Sequence, residues 1–266
     1  MTDFKHPHRR QNMLTGDWVL VSPQRTKRPW QGSIPPPVNE KLSRYDPQCY
    51  LCPGNLRADG KLNPDYTGTY LFSNDFPALL PETELIESES PLFKIQPVSG
   101  ICRVLCFSER HDLTLPELEL SAIENIVHVW AEQVKELGEQ YRWVQIFENK
   151  GEMMGCSNPH PHGQIWAGDF LPNEVIKEEL RQRDYYQSHG SELLSEYVDL
   201  EMSRQERLVE VNEYWLSVVP WWAVWPFETM LLPKRHVACL SELSGEEQAA
   251  LAELLKNLLS RYDNLF

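Results

Sequence analysis

The histidines at positions 160 and 162 are the residues of this chain best suited to covalent chemistry. They lie in the stretch GCSNPHPHGQIW, residues 155–166, which follows an apolar segment that we predict to be a strand. Residues two apart on an extended segment project to the same face, so His160, His162 and Gln164 would share one face. A neutral imidazole can attack phosphorus and needs only a partner that fixes its tautomer. We therefore predict a nucleophilic histidine; the alternative is a proline-rich loop whose histidines are structural.

Three stretches have residue types suited to an anionic nucleotide. Gly155 and Ser157 bracket a backbone segment that could approach a phosphate closely and donate N–H groups and a hydroxyl. The stretch RTKR, residues 25–28, offers guanidinium groups, which pair with phosphate through two parallel hydrogen bonds; the alternative is a solvated basic loop. Asn74 and Asp75 follow a predicted strand and could cap a turn or hold a ribose.

Cys49 and Cys52 form a CxxC pair, which supplies half of a tetrahedral metal site. A closed site needs two more ligands, and the candidates are His111 and His160, each beside its own turn. Four protein ligands leave no open position, so a zinc site of this kind would be structural. The alternative is two buried free thiols. A redox pair is disfavoured because no helix start follows the motif, as a thioredoxin-like site requires.

The composition predicts a soluble, globular, cytoplasmic protein. The 266 residues carry a formal net charge of −14, which argues against coating nucleic acid or anionic membrane through bulk charge. Residues 1–30, by contrast, hold six basic and two acidic residues, which indicates a local anionic ligand such as a phosphate. The N-terminus has no apolar core, the mostly apolar run 215–227 is too short for a membrane span, and six cysteines do not resemble a secreted disulfide scaffold.

A weak internal repeat relates two parts of the chain by an offset of 125 residues. In each copy a strand, predicted at 103–107 and at about 229–232, is followed by Arg-His, by a Leu-x-Glu-Leu segment and by an amphipathic helix. Capping-box patterns, Ser121-x-x-Glu124 and Ser244-x-x-Glu247, predict the two helix starts. By the same offset the second copy would enter its next strand at about residue 266, so we expect its terminal strand to be missing.

With these motifs the chain resembles the galactose-1-phosphate uridylyltransferases, a family of the histidine-triad superfamily, from residue 6 to residue 266. The most specific stretches are SPQRTKRPW (22–30), NPDYTGTY (63–70), FENKG (147–151) and residues 155–166. The resemblance implies an α+β fold, with an antiparallel sheet flanked by helices and two related histidine-triad-like halves. We expect an N-terminal half at 1–172, which carries the zinc site and the nucleophile, and an incomplete C-terminal half at 173–266.

The resemblance also implies an exchange of UMP between UDP-glucose and galactose 1-phosphate, in galactose metabolism. His162 matches the nucleophile, which forms a covalent uridylyl-histidine in a double displacement. Gln164 stands where triad hydrolases have a third histidine. Its amide cannot titrate but can hydrogen-bond phosphoryl oxygens, which favours transfer over hydrolysis. The alternatives are a triad-type nucleotide hydrolase and a zinc-stabilised nucleotide-binding fragment without turnover.

Further family positions carry over one at a time. The zinc ligands match Cys49, Cys52, His111 and His160. The nucleotide-sugar contacts match Arg25, Thr26, Lys27, Arg28, Ala58, Asn74, Asp75, Asn149, Gly155, Cys156, Ser157 and Gln164. Glu178 matches one ligand of a second, iron-type site, which we expect to stay incomplete because the family's other ligands are histidines of a C-terminal segment. The implied partners are UDP-glucose, UDP-galactose, hexose 1-phosphates and a second copy of the chain, with no nucleic acid or membrane.

Overall fold

The fold was obtained as a computed structural model, which describes residue 4 and residues 6–27, 42–84, 90–156 and 158–265. Within these residues the strands are β1 (His8–Gln11), β2 (Trp18–Val21), β3 (Tyr70–Ser73), β4 (Gly100–Cys106), β5 (Trp143–Phe147), β6 (His162–Gly168), β7 (Leu208–Val211), β8 (Trp215–Val218) and β9 (Met230–Pro233). The α-helices are α1 (Leu120–Gly138), α2 (Asn173–His189), α3 (Leu193–Arg204) and α4 (Gly245–Asp263). All strand pairs among the described residues are antiparallel, which confirms the α+β prediction.

The chain divides into two compact units. The first contains residues 1–40 and 172–236, and the second contains residues 41–171 and 237–266. Each unit therefore draws on both of the predicted domains, 1–172 and 173–266, and that division stays a prediction. No helix in the described part of the chain is long and apolar enough to cross a bilayer.

The second unit contains a four-stranded sheet in the order β3-β4-β6-β5. Burial alternates along β6, where Gly163, Ile165 and Ala167 are buried, so His162 and Gln164 project to the other face. Their register is set by pairing of His162 with Cys106 on β4 and of Gln164 with Phe147 on β5. The sheet thus holds His162 and Gln164 on one face, as the two-residue spacing predicts, whereas His160, predicted to share that face, lies before β6 and its ring joins the cluster of Cys49, Cys52 and His111.

Helices α1 and α4 pack against each other in the second unit, and their bounds differ by the repeat offset. The predicted capping box of Ser244 and Glu247 is confirmed, because Ser244 Oγ accepts the Glu247 N–H at 3.2 Å and Glu247 accepts the Ser244 N–H. The capping box predicted for Ser121 and Glu124 is wrong. Helix α1 begins at Leu120 after an N-cap Glu119, so Ser121 lies inside the helix and cannot cap it.

The first unit contains the pair β1-β2, the sheet β7-β8-β9 and helices α2 and α3. Leu216 and Val218 of β8 are fully buried against Val198 of α3. Glu201 of α3 is also fully buried, and Arg207 neutralises it with two hydrogen bonds of 2.9 and 2.8 Å. This unit therefore depends on one buried ion pair besides its apolar core.

Candidate functional site

Four side chains converge into a cluster that can hold a metal ion. Cys49, Cys52, His111 and His160 are all buried, and their ligand atoms lie within 4.8 Å of one another. Cys52 Sγ is 3.7 Å from His111 Nδ1 and 3.5 Å from His160 Nδ1. Tetrahedral zinc bonds of roughly 2.0–2.3 Å would separate neighbouring ligand atoms by roughly 3.3–3.8 Å. The cluster therefore has four suitable donor atoms, and the two distances from Cys52 to the histidines match those of a tetrahedral site.

Polar groups around the cluster hold its ligands in position. The Asn63 amide donates to the carbonyls of Tyr50 and Cys52, both at 3.0 Å, and so fixes the loop that carries the cysteines. The Leu51 N–H lies 3.3 Å from Cys49 Sγ, where it would stabilise a thiolate. His160 Nε2 lies 3.0 Å from the carbonyl oxygen of Ser108; donation there leaves Nδ1 as a ligand atom. Sequence reasoning missed these supporting groups, although Asn63 lies in a stretch that carried the resemblance.

Burial determines the protonation of the ligands in the absence of a cation. It raises the pKa of the Cys52 thiol to about 11, and the neighbouring Cys49 contributes to the rise. Burial also lowers the pKa of His160 to about 4, so its imidazole is neutral near pH 7 and able to coordinate. A divalent cation would supply the charge that two buried thiolates need.

His162 begins β6, two residues after His160. Its Nδ1 lies 2.8 Å from the backbone carbonyl oxygen of His160, so Nδ1 carries the proton and the Nε2 lone pair stays available. Burial lowers the pKa of the His162 imidazole, and the hydrogen bond to His160 opposes this. The geometry thus provides a neutral imidazole with a fixed tautomer, as the sequence predicts for a nucleophile.

Gln164 follows His162 on the same face of β6. Its Oε1 accepts the indole N–H of Trp166 at 3.2 Å, which orients the amide and leaves its –NH₂ group as a donor. The Trp166 ring lies edge-on to Phe147, with the ring centroids 5.5 Å apart. Trp166 is therefore a positioning residue for Gln164 that sequence reasoning did not single out.

A cavity of ≈ 630 Å³ lies beside His162. Of the predicted site residues, it is lined by Asn149, Cys156, His160 and His162. Its wall also includes Thr114, Glu148 and Lys150, which were not predicted. Burial raises the pKa of Glu148 to about 7; Asp263 adds to this rise and Lys150 opposes it. The cavity is in the size range of small-molecule sites, and its wall contains both the His162 imidazole and further titratable groups.

The turn before the nucleophile uses Gly155 for its backbone conformation. Gly155 has φ +80°, which favours glycine, and a Cβ atom there would meet nothing within 4 Å. The N–H groups of Gly155 and Cys156 donate to the carbonyls of Glu152 and Gly151, at 2.9 and 3.2 Å. The predicted donation of these N–H groups to phosphate would therefore require this turn to open.

Strand β3 is an edge strand of the four-stranded sheet, and three predicted residues lie near it: Asn74, Asp75 and Ala58. Asn74 Oδ1 accepts the Phe76 N–H at 2.9 Å and so caps the turn after β3. Asp75 Oδ1 lies 3.4 Å from Nε of Arg57, the residue before Ala58. The Arg57 guanidinium lies over the Phe72 ring at 4.4 Å, which brings the two segments together. These residues are not part of the cavity wall beside His162.

The remaining predicted residues are in the first unit or outside the described residues. Arg25 lies on a short 3₁₀ helix, Pro23–Lys27, with an exposed side chain. The side chains of Thr26 and Lys27, together with all of Arg28 and Ser157, lie outside the described residues. Glu178 lies on α2, and no cluster of three potential ligands forms around it in the described part of the chain. The second metal site stays a prediction.

Comparison with known proteins establishes the family. A profile described as "Galactose-1-phosphate uridyl transferase, N-terminal domain" matches residues 1–172, and the corresponding C-terminal domain profile matches residues 178–266. The chain belongs to the galactose-1-phosphate uridylyltransferase family. Family members from Haemophilus influenzae and Rattus norvegicus are 56% and 52% identical over 263 residues, which is 98% of this chain and 75% and 69% of theirs.

Solved structures agree with this family. One titled "Structure of uridylyltransferase" matches with a TM-score of 0.71 and 32% identity, over 93% of this chain and 73% of that one. An ADP-glucose phosphorylase from Arabidopsis thaliana, solved with ADP-glucose, matches with a TM-score of 0.72 over 97% of this chain and 78% of that one. At 22% identity it supports the fold alone.

Proposed function

We propose that the chain exchanges a uridylyl group between UDP-glucose and galactose 1-phosphate, with His162 as the nucleophile. The observation that carries the proposal is the 2.8 Å contact between His162 Nδ1 and the His160 carbonyl oxygen. His162 lines the cavity, and the chain belongs to the uridylyltransferase family. That contact holds the proton on Nδ1 and directs the Nε2 lone pair at the substrate.

The reaction is a double displacement. His162 Nε2 forms a bond to the α-phosphorus of UDP-glucose, and the bond from that phosphorus to glucose 1-phosphate breaks. A phosphate oxygen of galactose 1-phosphate then attacks the uridylyl-histidine; the P–N bond breaks and UDP-galactose leaves. The acceptor is already anionic, so neither step requires a general base. The Gln164 –NH₂ group, oriented through Trp166, donates to the phosphoryl oxygens in both transition states.

We propose zinc as the ion of the Cys49, Cys52, His111 and His160 cluster. Two thiolates and two imidazoles at tetrahedral spacing support this choice. With four protein ligands the ion has no open position and its contribution is structural. It would fix the cysteine loop, the segment after β4 and the segment before β6, and so position the nucleophile.

Other proposals extend from the family. We propose that Glu178 is one ligand of an iron-type site. The proposed contacts to the nucleotide sugar are Arg25, Thr26, Lys27, Arg28, Ala58, Asn74, Asp75, Asn149, Gly155, Cys156, Ser157 and Gln164. The two profile matches, which meet between residues 172 and 178, support domains at 1–172 and 173–266.

We further propose a cytoplasmic homodimer. Sedimentation velocity would test the dimer: a single species at monomer mass throughout the micromolar range would reject it.

Mass spectrometry of the intact protein tests the central step. Incubation with UDP-glucose should add one uridylyl group to the wild type and to His128→Ala, which alters an exposed histidine on α1, but not to His162→Ala. If folded wild type gains no mass yet binds UDP, the chain is a nucleotide-binding module and the proposal is rejected. Rapid UMP release without an acceptor would instead indicate a hydrolase.

A further inference from the structure

An ion pair at the cavity wall connects two distant segments of the second unit. The Lys150 ammonium, just after β5, contacts the carboxylate of Asp263 in the last turn of α4. The other carboxylate oxygen of Asp263 accepts a hydrogen bond from the Thr114 hydroxyl at 3.0 Å. Lys150 and Thr114 both line the cavity that contains His162. Lys150 is therefore the member of the pair that a ligand in the cavity can contact.

The charges on the cavity wall do not suit a phosphate unless Lys150 is available. Among the described residues that line the cavity, Lys150 is the only lysine or arginine, whereas Glu148 and Glu152 are both acidic. The Lys150 side chain is 42% exposed, so its ammonium can change partner with little desolvation. A phosphate monoester carries up to two negative charges and three acceptor oxygens, so it competes well with a single carboxylate.

We propose that Lys150 binds the phosphate of a sugar phosphate in this cavity, and that Asp263 holds its ammonium in the free protein until that phosphate displaces it. This inference rests on the proposed function, because it concerns the hexose 1-phosphate of that reaction. The Thr114 hydroxyl lies 3.0 Å from Asp263 and 3.1 Å from Glu117, so its one proton is available to the Asp263 carboxylate after the exchange. The ion pair thus places the cation at the cavity before the ligand arrives.

The state of Glu148 supports the exchange. Its pKa, raised by burial to about 7, means that the carboxyl is partly protonated near neutral pH and repels an anion less than an ordinary carboxylate does. The charged groups that act on it are Lys150 and Asp263, the two members of the ion pair. A phosphate bound nearby would further favour the protonated form.

Two single variants separate this role from a purely structural one. Lys150→Met and Asp263→Asn break the same ion pair, so any loss of affinity through destabilisation would appear in both. The proposal requires opposite effects. In calorimetric titrations with inorganic phosphate and with galactose 1-phosphate at fixed ionic strength, Lys150→Met should bind about tenfold more weakly, and Asp263→Asn several-fold more tightly.

Lys177→Met serves as the matched charge control. It removes the same charge from an exposed pair with Glu174 on α2 and should bind phosphate as the wild type does. Wild-type affinity in both Lys150→Met and Asp263→Asn, or weaker binding by both, would overturn the inference. The uridylyl mass gain is measured on the same samples. Opposite shifts in phosphate affinity without a uridylyl adduct would support the role of Lys150 and reject His162 as the nucleophile. An adduct without those shifts would support His162 and reject the role of Lys150.

Discussion

Replacing Glu148 by Gln should remove one contribution to the pH dependence of the free energy of unfolding between pH 5 and pH 7, and this contribution can be measured as the difference between variant and wild type. Burial raises the pKa of Glu148 from an ordinary 4.5 to about 7 in the folded chain. The folded chain therefore holds this proton more tightly than the unfolded chain does. As the pH rises above about 4.5 the unfolded form loses the proton first, so the contribution of Glu148 to the free energy of unfolding falls until about pH 7 and is then level.

The size of this effect follows from the shift. One pKa unit corresponds to about 1.4 kcal/mol, so the wild type should lose about 2 kcal/mol of stability through Glu148 between pH 5 and pH 7. Glutamine has the same shape and no charge at any of these pH values, so Glu148→Gln should show none of this loss. The difference in free energy of unfolding between Glu148→Gln and the wild type should therefore shift in favour of the variant as the pH rises from 5 to 8.

Urea unfolding followed by tryptophan fluorescence, at fixed ionic strength and fixed zinc concentration, would measure the difference between the two proteins from pH 5 to pH 8. Glu152→Gln is the control, because the exposed Glu152 carboxylate carries no burial cost. Its difference from the wild type should stay level. If the Glu148→Gln difference is also level, Glu148 is ionised normally and its assignment as a buried, half-protonated carboxyl is wrong.

Three further predictions follow from the ligand cluster, the buried ion pair and the amide beside the nucleophile. Cys52→Ser should lose most of its bound zinc by elemental analysis, whereas Cys102→Ser, a buried cysteine outside the cluster, should keep it. Arg207→Met should lower the free energy of unfolding in urea by roughly 3–5 kcal/mol, because it leaves a fully buried carboxylate unpaired; a loss below 1 kcal/mol would contradict this. Gln164→His should increase UMP release from UDP-glucose without an acceptor, measured by chromatography, since a histidine can activate water.

The sequence predicted the four-residue cluster and the strand that carries His162 and Gln164 better than the groups that position these side chains. A CxxC pair and two histidines beside turns pointed to a four-ligand cluster, and the spacing of His162 and Gln164 pointed to one strand face. Both predictions depend on local spacing, which the backbone of a turn or strand converts directly into geometry. The contact of Lys150 with Asp263 was out of reach, because the two positions are far apart in the chain and nothing local couples them.

The error at Ser121 has a related cause. A capping box is recognised from two residue types three positions apart, and that pattern also occurs inside helices. The 125-residue offset is the better guide, since it relates Ser244 to Glu119, the residue that does precede α1. A carboxylate at that position is compatible with the positive end of the helix even without a capping hydrogen bond.

The ring of His160 is part of the four-ligand cluster, and its backbone carbonyl oxygen contacts Nδ1 of His162. One backbone carbonyl group thus connects the four-ligand cluster to the tautomer of the His162 imidazole. A metal ion held by these four residues would influence the proposed reaction without contacting the substrate. Stepwise removal of the metal by a chelator should disturb the orientation of the His162 imidazole while most of the helix and sheet content remains. Activity should therefore be lost at lower chelator concentrations than secondary structure.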